Sequence, residues 1–179
     1  MRLMYVDPIG GVAGDMLVAA LIDAGAPLSD IQEAVDAVLP GRFSLRSERV
    51  TRAGLGAALL RIESPENRPL ARRSHGELAS AIDGAVLDET VKIRAGNTLG
   101  RLTRAEWLAH GPTPYPVRDE GGWEVFHEIG DDDTLLDIVG FSAAFTALGL
   151  ERMYVGPLPL GGAGTMLPPS SSGHGPGSS

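Results

Sequence analysis

The chain has 179 residues, is 43% hydrophobic, and carries a formal net charge of −8 with a pI near 4.9. That suffices for one core of ordinary size, and the acidic balance argues against a nucleic-acid binder, which needs a basic face. Without a single cysteine, disulfides, zinc fingers and thiol nucleophiles are excluded, so a metal would have to be held by His, carboxylates, backbone or a bound cofactor.

In chain order, "RLMYV" (2–6) reads as a short apolar strand and "DPIGGVAG" as a Gly-rich turn. "DMLVAALIDAG" has helical spacing, with Met16, Ala19, Ala20 and Asp23 at i, i+3, i+4 and i+7 and Gly25 as its stop. Ser29 and Asp30 are expected to open a second helix, "DIQEAVDAVL", ended by Pro40-Gly41. "FSLRSERVTR" and "GAALLRIE" alternate as two strands and predict a hairpin near Gly54.

After a loop with two prolines come two predicted helices, "ELASAIDGAV" and "DETVKIRAGNTLGRLTRAEWLAHG". The second has its apolar residues at Val91, Leu99, Leu102 and Leu108, with Gly96 and Gly100 weakening it. "WEVFHEI" predicts a strand, "DDTLLDIVGFSAAFTALG" a helix ended by Gly149, and "RMYVGPLPLGG" a last strand that breaks at its prolines. Residues 1–166 form one expected domain, and 167–179 read as a low-complexity, disordered tail. The expected class is α/β or α+β, a mixed sheet with a β-hairpin and helices packed on the sheet. The apolar runs fall well short of the ~18 residues a membrane span needs, and the N-terminus lacks a secretory pattern, so the expected compartment is the cytoplasm.

Two stretches carry chemistry. "DPIGGVAGD", Asp7 to Asp15, has the strand–glycine–helix layout of anion-binding loops, although it lacks the Walker lysine and the dinucleotide spacing. It is equally the layout of a tight βα turn in which Asp15 stabilises a helix N-terminus. Asp7, at the end of a first strand, stands where open α/β sheets place ligands. In "FHEIGDDDTLLDIVG", His127 and Glu128 are neighbours on a strand and face opposite sides unless the chain bends at Gly130. Asp131, Asp132 and Asp133 then crowd a helix start, more carboxylates than capping needs. Asp133 and Asp137 lie one turn apart on one face, with Leu136, Val139 and Gly140 on the other. The choice is between a divalent-metal or cofactor site and a solvated, capped helix end. His75, His110 and His174 have ordinary readings.

Taken in order, these pieces resemble the nickel insertion proteins of the LarC type (DUF111). The family's D-P-x-S-G-x-S-G-D-M appears as "DPIGGVAGDM", its "LLDLG" as "LIDAG", and its V-x-R-x-G-I/L as "VTRAGL". Its V-H-F-H-E-V-G-A-x-D-x-I-x-D-I-V-G appears as "EVFHEIGDDDTLLDIVG" and its P-L-P-L-G-x-G as "PLPLGGAG". The resemblance implies CTP-dependent insertion of nickel into pyridinium-3,5-bisthiocarboxylic acid mononucleotide. That reaction, of the lyase class, makes the nickel-pincer nucleotide cofactor of lactate racemase, with magnesium or manganese accompanying CTP.

Carried onto this chain, the family's motif positions fall on Asp7, Asp15, His127, Glu128, Asp133 and Asp137. The roles expected from that correspondence are nickel ligation by His127, Asp133 and Asp137, proton removal by Glu128, and mononucleotide binding by Asp7, Gly10, Gly11, Gly14 and Asp15, whose backbone amides would take the phosphate. Departures from the family pattern qualify it. The motif's two serines are Gly10 and Ala13, the first His of its "HFH" is Val125, a His-rich insert is absent, and "HGP" near the end only echoes a longer family segment. Family members also run longer, with a C-terminal domain that binds CTP. The chain is thus expected to be a partial or first-subunit form, working with a partner polypeptide that carries that domain and as a homo-oligomer at full length. The alternative is a nickel- or partner-binding module without catalysis of its own.

Overall fold

The computed structural model describes residues 1–52, 54–64, 73–110 and 130–159. The elements run β1 (Leu3–Val6), α1 (Gly14–Asp23), α2 (Leu28–Val38), β2 (Ser44–Arg52), β3 (Leu55–Glu63), α3 (His75–Gly84), α4 (Glu89–His110), α5 (Asp132–Ala147) and β4 (Arg152–Val155). This is the expected mix of helices and strands. Among the described residues the pairings fall in two separate ribbons: β1 lies parallel to β4, and β2 pairs antiparallel with β3 as the expected hairpin. The predicted strand at 123–129 and the predicted tail lie outside the described residues.

The core is helical and α5 is its axis. Leu135, Leu136, Ile138, Val139, Ala143, Ala144 and Phe145 are all buried. A helix apolar on most of its circumference needs partners all round, and α1, α2 and α4 supply them. At Gly140 the side chains of Val18, Ile31 and Val35 close over the helix, so α1 and α2 pack directly onto it. The hairpin is fastened to α2 by one side chain, because Gln32 donates to the Phe43 carbonyl (2.9 Å) and accepts from the Leu45 amide (2.7 Å).

Helix ends follow local chemistry. Both Gly25 and Gly149 have positive φ and close paired bonds back into the preceding turn, Ala26 N–H to Leu21 O (2.9 Å) and Leu150 N–H to Phe145 O (3.1 Å). These are the αL stops expected at those glycines. Two starts differ from expectation. Helix α2 begins at Leu28 behind Pro27, whose fixed φ suits a helix entry, and Ser29 donates to Asp30 rather than capping. Helix α3 begins at His75, set by a reciprocal Ser74–Glu77 capping box.

The buried face of α1 is also not the expected one. Val18, Ala19 and Leu21 are buried, whereas Met16 is 54% exposed. In a helix this uniformly apolar several stripes fit the same period, and the packing of Val18 against Gly140 selects among them. On α4, Val91, Ala95 and Leu99 are buried and Leu102 is partly so, but Leu108 is exposed. The β1–β4 ribbon stands open, with Leu3, Tyr5 and Tyr154 exposed. No helix among the described residues is long and apolar enough to cross a membrane.

Candidate functional site

Helix α5 runs back toward the start of β1 before β4 pairs with it, so its N-terminus meets the loop that leaves β1. That meeting is tight. A Cβ on Gly14 would overlap the Asp137 side chain, so only glycine lets the first turn of α1 lie against that carboxylate. The contact joins the two stretches that sequence motifs singled out, across more than a hundred residues.

Three of the expected site residues are thereby gathered. Burial pushes the Asp137 carboxyl up to about 7, and the nearby charges of Asp15 and then Asp133 push it in the same direction. None of the three forms an ion pair with a described residue. The Asp133 carboxylate accepts from the Thr134 amide (2.9 Å) and that of Asp15 from the Met16 amide (2.8 Å). These are local bonds that hold the side chains without neutralising them. Among the described residues the arrangement is an uncompensated negative site, half sheltered from water and flanked by a glycine loop. It is not a closed cage: no set of three or more His, Asp or Glu among the described residues converges on one metal position.

The Gly-rich loop itself is partly closed on its own backbone. The Ile9 amide donates to the Asp7 carbonyl (3.0 Å) and the Gly11 amide to the Pro8 carbonyl (3.1 Å). Asp7 is exposed and Gly11 has positive φ. With the Asp15 and Asp137 carboxylates alongside, this loop presents backbone for close approach in a field that disfavours an anion. His127 and Glu128 lie outside the described residues.

The run Asp131–Asp133 resolves into three different jobs. Asp131 sits at the N-cap with extended backbone, but its side chain makes no capping bond. Asp132 is buried, and Arg42 Nε (3.0 Å) and Arg73 Nε (2.8 Å) each donate to one of its oxygens. A buried carboxylate needs such pairing to persist as an ion. Only Asp133 belongs to the uncompensated group. Sequence reasoning missed Arg42 and Arg73, which lie ninety and fifty-nine residues away from Asp132. A usable signal existed for one of them, since Arg73 stands immediately before the Ser74–Glu77 box and so at a helix start.

Comparison with known proteins assigns the chain. A family model described as "Nickel insertion protein" matches residues 4–168. A relative from Geobacter metallireducens, provisionally named a nickel insertion protein, is 39% identical over 163 residues, 90% of this chain and 40% of its own length. One from Nocardioides, named "Pyridinium-3,5-bisthiocarboxylic acid mononucleotide nickel insertion protein", is 35% identical over 161 residues, 90% of this chain and 39% of its own. One from Wolinella succinogenes is 30% identical, with similar coverage. The chain thus spans about two-fifths of the length of the curated relatives it matches. No solved structure matches. The chain belongs to the nickel insertion protein family.

Proposed function

We propose that this chain takes part in inserting nickel into pyridinium-3,5-bisthiocarboxylic acid mononucleotide, the substrate in the name of its Nocardioides relative. The observation that carries the reading is the gathering of Asp15, Asp133 and Asp137 with no cationic partner among the described residues, at a contact so close that Gly14 admits no side chain. A divalent ion relieves such a site, and His127, six residues before Asp133, is the nitrogen donor that would favour nickel over calcium. In this reading His127, Asp133 and Asp137 hold nickel. Asp7, Gly10, Gly11, Gly14 and Asp15 meet the mononucleotide, with the glycines allowing its ring and ribose to approach the backbone.

Insertion forms two sulfur–nickel bonds and one carbon–nickel bond, and the ring carbon gives up its proton. Glu128 is the proposed acceptor of that proton. The full reaction, as a lyase-class step that uses CTP with magnesium or manganese and matures lactate racemase, belongs in this proposal to the longer protein in the cytoplasm. A partner polypeptide would supply the CTP site, and the full-length protein would be a homo-oligomer.

A second reading, a nickel- or partner-binding module without turnover of its own, draws on the two-fifths coverage of the relatives. Calorimetric titration of the chain with nickel, with calcium as control and His127→Ala and Asp137→Asn as variants, tests the metal site. The expected result is selective nickel binding weakened at least tenfold by either substitution. Equal affinity for nickel and calcium, unchanged in both variants, would refute it. Turnover after adding the part of a relative that lies beyond the matched span separates the two readings.

A further inference from the structure

Helix α5 begins without a side-chain cap. Asp131 stands at the N-cap position, yet its carboxylate takes no bond from the first turn. What fixes the start of this helix comes from distant parts of the chain. Arg42 Nε (3.0 Å) and Arg73 Nε (2.8 Å) each donate to one oxygen of the buried Asp132 carboxylate, and the Arg73 amide donates to the Gly130 carbonyl (2.8 Å). Both arginines stand on backbone that is itself held. The Arg42 amide closes a turn onto the Leu39 carbonyl (3.1 Å), and the carbonyl of its neighbour Phe43 accepts from Gln32 (2.9 Å). Arg73 immediately precedes the Ser74–Glu77 capping box.

Stability alone does not call for this arrangement. Burying a carboxylate against two guanidinium groups costs desolvation that their attraction barely offsets, and well-packed apolar side chains of similar volume serve a fold as well or better. What charged hydrogen bonds add is direction. Two directed bonds from separate anchors fix a helix in rotation, as apolar contact does not. The need for that fix lies one residue on. Asp133 follows Asp132, and one turn later Asp137 lies against Gly14. Side-chain tips stand ~5–6 Å from a helix axis, so a rotation of about 20° carries them about 2 Å. A binding constellation tolerates a displacement of only about 0.5 Å.

We propose that Arg42, Asp132 and Arg73 are positioning residues, which set the rotation of α5 and so hold Asp133 and Asp137 in place against Gly14 and Asp15. The nickel role of those carboxylates rests on the nickel-insertion reading; the positioning does not.

The test is made on the intact chain. A triple variant, Arg42→Met with Asp132→Leu and Arg73→Met, replaces the triad by apolar side chains. Its urea midpoint is expected to equal or exceed that of wild type. The amide resonances of Gly14 and Asp15 should move, while those of Thr51 and Gly56, paired near the turn of the hairpin, stay. Nickel affinity, read by calorimetry, should fall about tenfold or more, the usual cost of losing a group that orients a metal ligand. Should the triple variant not fold, two single variants decide. Arg73→Met should move Gly14 and Asp15 and weaken nickel binding, and Arg73→Lys, which keeps a cationic donor for Asp132, should restore both. Unmoved Gly14 and Asp15 resonances with wild-type nickel affinity overturn the proposal. So does a loss of affinity that comes with a lower urea midpoint and with shifts that reach Thr51 and Gly56, the result of a triad that only holds the fold together. Absence of nickel binding even in wild type, with Gly14 and Asp15 moving as expected, would instead sink the nickel reading and leave the positioning standing.

Discussion

Adjacent aspartates on either side of the α5 N-terminus meet opposite fates. Asp132 is buried and answered by two arginines. Asp133, one position on, joins Asp15 and Asp137 in a group that no cation among the described residues answers. The first arrangement satisfies itself, and the second finds no such answer among the described residues. Charge balance, rather than the density of acidic residues, separates the structural carboxylate from the ones that await a ligand.

Breaking the balanced side should have the largest effect. Asp132→Asn removes the buried anion to which Arg42 and Arg73 both donate, which is expected to destabilise the fold by about 3 kcal/mol in urea titrations. If Asp132→Asn matched wild type, the pair would be no more than a surface contact. Gly14→Ala comes next. The new methyl must displace Asp137 or the start of α1, an overpacking effect of about 2 kcal/mol, and nickel affinity should fall with it.

Asp137→Asn should act in the other direction. The Asp137 pKa is about 7 in the folded chain against 3.8 for a free carboxyl. Below 3.8 both states are protonated and the group is neutral in its effect; between 3.8 and 7 the unfolded chain loses the proton first, so stability falls as pH rises, with the full penalty present above 7. Because the carboxyl keeps contact with water, the gain from Asp137→Asn at pH 8 is about 1–2 kcal/mol, and the fall between pH 4 and 7 should flatten. Thermal melts across that range check it, and a wild-type curve flat between pH 4 and 7 would contradict it. By the same linkage, wild-type nickel affinity should rise as pH climbs toward 7, because the ion must displace that proton. The smallest effect belongs to Met16→Ser, expected within ~0.5 kcal/mol of wild type, since Met16 is 54% exposed despite its place in the apolar period.

Much of this was legible in the residues. The hairpin, the αL stops at Gly25 and Gly149, and the shared face of Asp133 and Asp137 all follow from local spacing and turn chemistry, which act within a few residues. What escaped depends on distant partners. No local rule sets Arg42 and Arg73 on Asp132, and none brings Gly14 against Asp137. The buried stripe of α1 escaped for a different reason: its period is degenerate, and the packing of Val18 beneath Gly140 decides it.

The β1–β4 pairing has a consequence in time. Leu3 to Val6 find their hydrogen-bond partners only at Arg152 to Val155. At synthesis rates of about 5–20 residues per second, the first strand must wait roughly 8–30 s after it is made before its partner exists. The helices between them are complete before then and can begin packing, so the ribbon closes last. An apolar tetrapeptide that waits so long for its partner is a natural site for chaperone contact, and in the finished molecule it is where amide exchange should begin.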